Sequence, residues 1–242
     1  MRILIGYSMR SGSTLLEHIL DGHSLLHAYG DLSSILALPK SFGRRRGRSE
    51  HICVKPMDLL YLQQTFDFYR HFDKFVWLAR DPRDSYLSSI ESGYAYLFWP
   101  PGRRRCGIDT GLIKRWRRIY RHYFEHTDRW HLVRYEDLVQ QPDATLRSLL
   151  EHLELPYETL FPFPRFNRRH GGDYKLVRHS SISGRSSQRF RQELNRQQLD
   201  LFDTLLGDRI TALNYPLGNP GRSLTAAAAQ QPPPPSARSS VG

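Results

Sequence analysis

Apolar positions along this chain fall into short unbroken runs separated by stretches with helical spacing. Residues 2–7, RILIGY, form one such run and predict a buried strand. A turn rich in Ser and Gly follows, and then Thr14-Leu-Leu-Glu-His-Ile-Leu20, whose apolar residues recur at helical intervals. The same strand, turn and helix order returns at residue 74. There Phe75-Val-Trp-Leu-Ala79 reads as a buried strand, Arg80-Asp-Pro-Arg83 as the turn, and Ser85 onward as a helix. A further strand is expected over residues 51–54 and another over 131–135, before helix signals at 144–153 with Asp143 as N-cap. Strands alternating with helices predict an α/β fold, a single domain with a central parallel sheet flanked by helices. No repeat of solenoid or propeller period is visible.

Composition separates the two ends of the chain. Its 242 residues are 39% hydrophobic and 12% aromatic, enough for a buried core. Residues 218–242, an Ala/Gln/Pro-rich stretch with four successive prolines, have little apolar area to bury and are expected to be a disordered tail after a domain at 1–217. Two arginine-rich stretches, at 44–48 and 103–105, read as mobile surface loops.

The formal charge of +11 points to anionic partners without choosing among nucleic acid, lipid, a phosphorylated small molecule or an acidic acceptor. Cys53 and Cys106 are too few for a disulfide framework and lack companions for a zinc site, so no metal is expected. The opening segment holds no apolar run long enough for a signal peptide or membrane span, from which a soluble, cytoplasmic protein is expected. A motif this near Met1 is also compatible with a chain trimmed from a longer anchored protein.

The candidate chemistry begins at the first turn. A strand followed by a helix N-terminus collects unpaired N–H groups and the positive end of the helix dipole, a setting suited to an oxyanion. Within Arg10-Ser-Gly-Ser-Thr14, Gly12 lets the backbone approach an anion. Ser11, Ser13 and Thr14 can supply hydroxyls and Arg10 a fixed charge. A polar turn with a capping serine has the same composition. The segment is not a Walker A loop, because Ser13 stands where its lysine belongs and the cation precedes the glycine. The second strand ends in Arg80 rather than in a magnesium-holding acid.

At four places these residues resemble the sulfotransferases that use 3'-phosphoadenosine 5'-phosphosulfate (PAPS), most nearly the Golgi-type and bacterial carbohydrate and tyrosylprotein enzymes. Tyr7-Ser-Met-Arg-Ser-Gly-Ser-Thr-Leu-Leu16 is similar to the family's 5'-phosphosulfate loop. Arg80, followed eight positions on by Ser88, is similar to its 3'-phosphate site. Val133-Arg-Tyr135-Glu-Asp-Leu resembles its YEDL segment, and Ser186-Ser187-Gln-Arg-Phe-Arg191 its late serine and arginine segment, with Phe190 in place of the usual tryptophan.

The resemblance implies a P-loop-like nucleotide-binding core. It implies an enzyme moving a sulfuryl group from PAPS to a hydroxyl or amine without a metal. Arg10, Ser11, Gly12, Ser13, Thr14, Arg80, Ser88, Tyr135, Ser186 and Ser187 would bind the donor, and Arg10 would stabilise the charge that develops in transfer. By the same resemblance Asp31, after Gly30, takes the place of a catalytic carboxylate, though an N-cap for residues 32–38 explains it equally. His23 and His27 are alternative bases. Lys55 matches a family lysine and reads as well as an exposed turn residue. The aromatic segment Tyr94, Tyr96, Phe98 and Trp99 suits either a lid or an acceptor wall.

The acceptor is left open, with an anionic molecule or a carbohydrate as the expected class and no nucleic acid. Two rival readings are a P-loop-type nucleotide kinase or hydrolase, and a basic module reading nucleic acid through Lys114-Arg-Trp-Arg-Arg-Ile-Tyr-Arg121. That last stretch reads better as a helix with one buried aromatic side.

Overall fold

In the computed structural model, strand β1 (Arg2–Tyr7) runs through the middle of a five-stranded, wholly parallel sheet and is buried from Ile3 onward. An unbroken apolar run is what such a position demands, since both faces are covered. The structure describes residues 1–30, 51–56, 68–93, 100–160 and 186–218. Asp31, the arginines at 44–48, the aromatic segment 94–99 and the tail from 219 lie outside them. The chain divides into two compact units, Met1–Glu193 and Leu194–Gly242.

In the first unit β1 leads into α1 (Ser13–Asp21), which buries Leu15, Leu16, Ile19 and Leu20, and then into β2 (Leu26–Tyr29). Strands β3 (His51–Val54) and β4 (Lys74–Ala79) pair with β1 on opposite sides. Helix α2 (Pro82–Glu91) follows β4, with Asp81 as N-cap and Pro82 opening the first turn.

A hairpin of β5 (Arg104–Arg105) and β6 (Ile108–Asp109) turns through Cys106 and Gly107, both at positive φ. The arginines expected in a loose loop therefore sit on a short hairpin, exposed as expected. Asp109, fully buried, caps α3 (Thr110–Ile119) through the Gly111 and Leu112 N–H groups. α3 buries Ile113, Trp116 and Ile119 and exposes Lys114, Arg117 and Arg118.

After α4 (Arg121–Phe124) come β7 (His131–Arg134), α5 (Tyr135–Gln140) and α6 (Pro142–His152), then α7 (Phe190–Glu193). Two sequence expectations shift here: Tyr135 opens a helix instead of ending a strand, and the N-cap of α6 is Gln141, with Asp143 in the first turn. The second unit holds α8 (Arg196–Ala212), closed at its start by a reciprocal capping box between Asn195 and Gln198.

Strand order β2-β3-β1-β4-β7 puts the reversal of direction between β1 and β4, where open parallel sheets form a ligand crevice at their carboxyl edge. Register makes that edge nearly level: Tyr7 pairs with Leu78, and Ala79 with Arg134. Residues 8–12, Arg80 and Tyr135 thus leave the sheet side by side. Below them Trp77 lies over β1, edge-on to Tyr120 at 5.2 Å and to Trp130 at 5.1 Å. A Cβ at Gly6 would collide with the Trp77 ring, so this glycine serves close packing under an indole.

At the other end of β7 the His131 and His152 rings stack at 4.6 Å. Burial, then the charge of His152, pushes His131 from 6.5 to about 4, and burial first also lowers His152. A histidine with a depressed folded-state pKa supports the fold above its unfolded value and loses that support as pH falls. The melting temperature should therefore drop between pH 6.5 and about 4. His131→Phe, which keeps a ring in the stack, should flatten that drop, as a thermal melt at several pH values will show.

Candidate active site

The loop from β1 to α1 is shaped by two left-handed residues, Arg10 at φ 61° and Gly12 at φ 93°. Gly12 is the N-cap of α1 and contributes no side chain, so the cap donors of the first turn are left to something else. The Tyr135 ring fills the space beside Gly12, where an added Cβ would lie 2.5 Å from Tyr135 Cδ2. The other face of this arrangement is Arg80, whose guanidinium carbon stands 4.6 Å from the centre of the Tyr135 ring.

Arg80 joins three segments of chain. Nη1 donates to the Arg10 carbonyl oxygen at 2.7 Å and Nη2 to that of Ser186 at 2.5 Å. Arg10 in turn donates from Nε to Ser88 Oγ on α2 at 3.0 Å. The two arginines expected at separate strand exits thus meet across one cleft. Arg80 is 4% exposed. Asp81 is held by Arg83, at 2.9 Å to Nε and 2.6 Å to Nη2.

The backbone at the β4 exit is pinned as well. The Arg80 N–H reaches the Tyr120 hydroxyl at 3.4 Å and the Asp81 N–H reaches Glu136 Oε1 at 3.1 Å. Burial raises the Tyr120 hydroxyl pKa, so it stays protonated. Glu136, six percent exposed, thus anchors the turn after β4.

Helix α2 buries an almost wholly polar face: Arg83, Asp84, Ser85, Ser88 and Ser89. Asp84 accepts the Gln188 N–H at 2.6 Å and the Phe190 N–H at 2.9 Å, and Arg83 stacks on Phe190 at 3.8 Å. These contacts tie the late serine segment to the cleft. Burial raises the Asp84 carboxyl pKa, and the two amide N–H groups act against that rise. Neither Asp84 nor Arg83 was singled out from the sequence. The available signal was the polar inward spacing of 84, 85, 88 and 89, which no apolar moment reveals.

Buried polar atoms are normally satisfied. Among the buried side-chain atoms with no hydrogen-bond partner among the described residues are Ser11 Oγ on the β1–α1 loop, Arg80 Nε at the β4 exit, Ser85 Oγ on α2 and Ser187 Oγ beside Ser186. An oxyanion-bearing ligand would meet that need, and the uncapped helix start and the Arg10 and Arg80 side chains fit it.

Ser13 opens α1 and is buried, and the Thr14 hydroxyl lies 3.3 Å from Lys55 Nζ. Lys55 itself is 1% exposed, which removes its reading as a surface turn residue. Its ammonium pairs with Glu17 Oε2 at 3.0 Å. His23 is buried with Nε2 on the Pro156 carbonyl, and His27 pairs with Asp21 at 3.2 Å; the structure places neither at the cleft residues named above. The contacts join Arg10, Gly12, Arg80, Ser88, Tyr135 and Ser186; Ser11, Ser13 and Thr14 lie on or just after the same loop, Ser187 follows Ser186, and Asp31 lies outside the described residues.

The model of the Sulfotransferase family matches residues 42–159, just under half of the chain. Among solved structures, the sulfotransferase domain from the curacin biosynthetic pathway is 18% identical, with a TM-score of 0.67 over 90% of this chain and 98% of its own. The sulfotransferase domain of the Synechococcus PCC 7002 olefin synthase is also 18% identical, with a TM-score of 0.60 over 87% and 94%. Mouse sulfotransferase SULT7A1, solved with PAP, is 12% identical, with a TM-score of 0.61 over 88% and 86%. No curated protein matches the chain. At these identities the structures share the fold, and residues 42–159 match the sulfotransferase family model.

Proposed function

We propose that this chain is a sulfotransferase that binds PAPS along the carboxyl edge of β1 and β4. In this reading residues 10–14 receive the 5'-phosphosulfate and Arg80 with Ser88 receives the 3'-phosphate. Tyr135, Ser186 and Ser187 close the site around the nucleotide. The observation that carries the reading is the convergence of Arg80 on the Arg10 and Ser186 carbonyls beside buried hydroxyls that lack partners.

In transfer, the acceptor oxygen or nitrogen forms a bond to sulfur while the bond from sulfur to the bridging phosphate oxygen breaks. The electron pair leaves on the 5'-phosphate. Arg10, permanently charged, stabilises that oxygen electrostatically and gives up no proton. The acceptor proton passes to a base, for which Asp31 is proposed from its place two residues past the end of β2. Arg103, Arg104, Arg105, Lys114, Arg117 and Arg118, all exposed, favour an anionic molecule or a carbohydrate bearing acidic groups as the acceptor. No described helix is long and apolar enough to cross a membrane, and a cytoplasmic setting is proposed with a buried Cys53 and an exposed Cys106.

The nucleotide-kinase reading is less favoured, because the acid nearest the β4 exit, Asp81, already gives both oxygens to Arg83. The test is calorimetry with adenosine 3',5'-bisphosphate in chelator, and then radiolabelled PAPS with a panel of glycans, lipids, phenols and tyrosine peptides. Metal-free binding and label transfer are expected, with kcat about 10²–10³-fold lower in Arg10→Ala. Magnesium-dependent ATP turnover without bisphosphate binding would overturn the assignment.

A further inference from the structure

Glu17 and Lys55 form a buried ion pair that belongs to no part of the machinery assigned above. Their side chains are 13% and 1% exposed, and Nζ lies 3.0 Å from Glu17 Oε2. A buried pair of this kind is a weak source of stability, since apolar residues of similar volume often serve as well. What an apolar pair cannot do is fix a positive charge. Here the charge is fixed against Thr14 Oγ1, 3.3 Å away in the first turn of α1, so the ammonium reaches the rim of the donor loop from beneath.

The carboxylate is held in turn. Its second oxygen faces Gly30, where an added Cβ would lie 2.9 Å from Oε1. The absence of a side chain at Gly30 lets Oε1 settle against β2's end and turns Oε2 toward Lys55. The Lys55 carbonyl accepts the Tyr7 hydroxyl at 3.2 Å, so the backbone that carries this ammonium is tied to β1.

From this geometry we infer that Glu17 is a positioning residue for sulfuryl transfer, holding the Lys55 ammonium on the Thr14 side of the donor loop. The inference rests on the sulfuryl-transfer reading. Glu17 touches neither donor nor acceptor in it; the carboxylate acts only through Lys55, and its loss leaves a buried cation free to turn away.

The experiment compares wild type, Glu17→Gln, Lys55→Met and the double variant in turnover of radiolabelled PAPS, in affinity for adenosine 3',5'-bisphosphate, and in melting temperature. Glu17→Gln should lower kcat about 10- to 100-fold, as expected for a lost charge-assisted contact. Affinity for the bisphosphate, which has no sulfuryl group, should stay within about threefold. In the Lys55→Met background the same change should cost nothing further, which is the signature of one residue acting through another. Glu17→Asp should recover part of kcat.

Wild-type kcat in Glu17→Gln, or an undiminished effect in the Lys55→Met background, would overturn the inference. If Glu17→Gln does not fold, Glu17→Asp carries the test, because it keeps the charge and shortens its reach to Lys55. A severalfold lower kcat at an unchanged melting temperature is then expected, and an unaltered kcat is the overturning result. A wild-type protein that neither consumes PAPS nor binds the bisphosphate would instead sink the sulfuryl-transfer reading, and the inference with it.

Discussion

Arg80→Ala should reduce affinity for adenosine 3',5'-bisphosphate by about 10²–10³-fold. The variant deletes the cation proposed to meet the 3'-phosphate, a charge-assisted contact worth about 1.5–3 kcal/mol, and with it the two hydrogen bonds that hold the Arg10 and Ser186 carbonyls in place. It also removes the cation over Tyr135. At about 1.4 kcal/mol per tenfold, losing the phosphate contact accounts for about 10- to 100-fold, and release of the two carbonyls, which lets the donor loop shift, adds the remainder. The effect has two parts, because Arg80 both meets an anion and shapes the loop that meets it. Arg80→Lys separates them. A lysine keeps the charge but cannot hold two carbonyls in a planar fork, so it should fall between alanine and wild type. Titration calorimetry reads the affinity and a thermal melt checks the fold. Binding within threefold of wild type in Arg80→Ala would leave the cleft without its central residue.

The first turn of this site was legible because two different periodicities meet there. The buried run ending at Tyr7 and the helical spacing from Thr14 leave only residues 8–13 for the turn, and their Ser/Gly/Arg content suits an oxyanion as well as a capped polar turn. Arg80 lies at the same kind of junction after the second strand, and Ser88 was marked only by its resemblance to the family's arginine-then-serine spacing. The partners across the cleft were not. Asp84 meets the Gln188 and Phe190 amides more than a hundred positions away, and a carboxylate that binds backbone N–H groups leaves no complementary side chain to notice. Glu17 and Lys55 are joined by the register of β1 with β3, which pairs Leu4 with Val54 and brings the start of α1 over the end of β3.

Tyr135 shows the same limit in a single residue. Its place in a Tyr-Glu-Asp-Leu segment marked it as a donor contact, but the sequence could not say that its ring is wedged between a glycine and a guanidinium. Nor could it say that Glu136 points back to the Asp81 N–H. Both follow from β7 ending level with β4, Ala79 opposite Arg134, so that the next residue of each strand faces the other. Sequence periodicity predicts which strands exist; the stagger between them decides which side chains meet, and here that stagger was visible only in three dimensions.

Gly12→Ala should cost at least as much activity as loss of a charged group, although it removes no polar atom. Holding alanine at φ 93° is strained by about 1–2 kcal/mol. Its Cβ would stand 2.5 Å from Tyr135 Cδ2 and 2.8 Å from Cε2, so either the loop or the ring must move. Neither can move alone: the ring carries Arg80, and Arg80 holds the Arg10 carbonyl of the same loop. A steric change at one atom is therefore expected to displace both arginines, lowering kcat/KM for PAPS about 10²-fold or more. Tyr135→Ala supplies the control, since trimming the ring removes the collision while leaving the backbone strain. If the ring is the obstacle, Gly12→Ala should cost several times less in the Tyr135→Ala background than in wild type. Equal costs in the two backgrounds would place the whole effect in the backbone and detach Tyr135 from the donor loop.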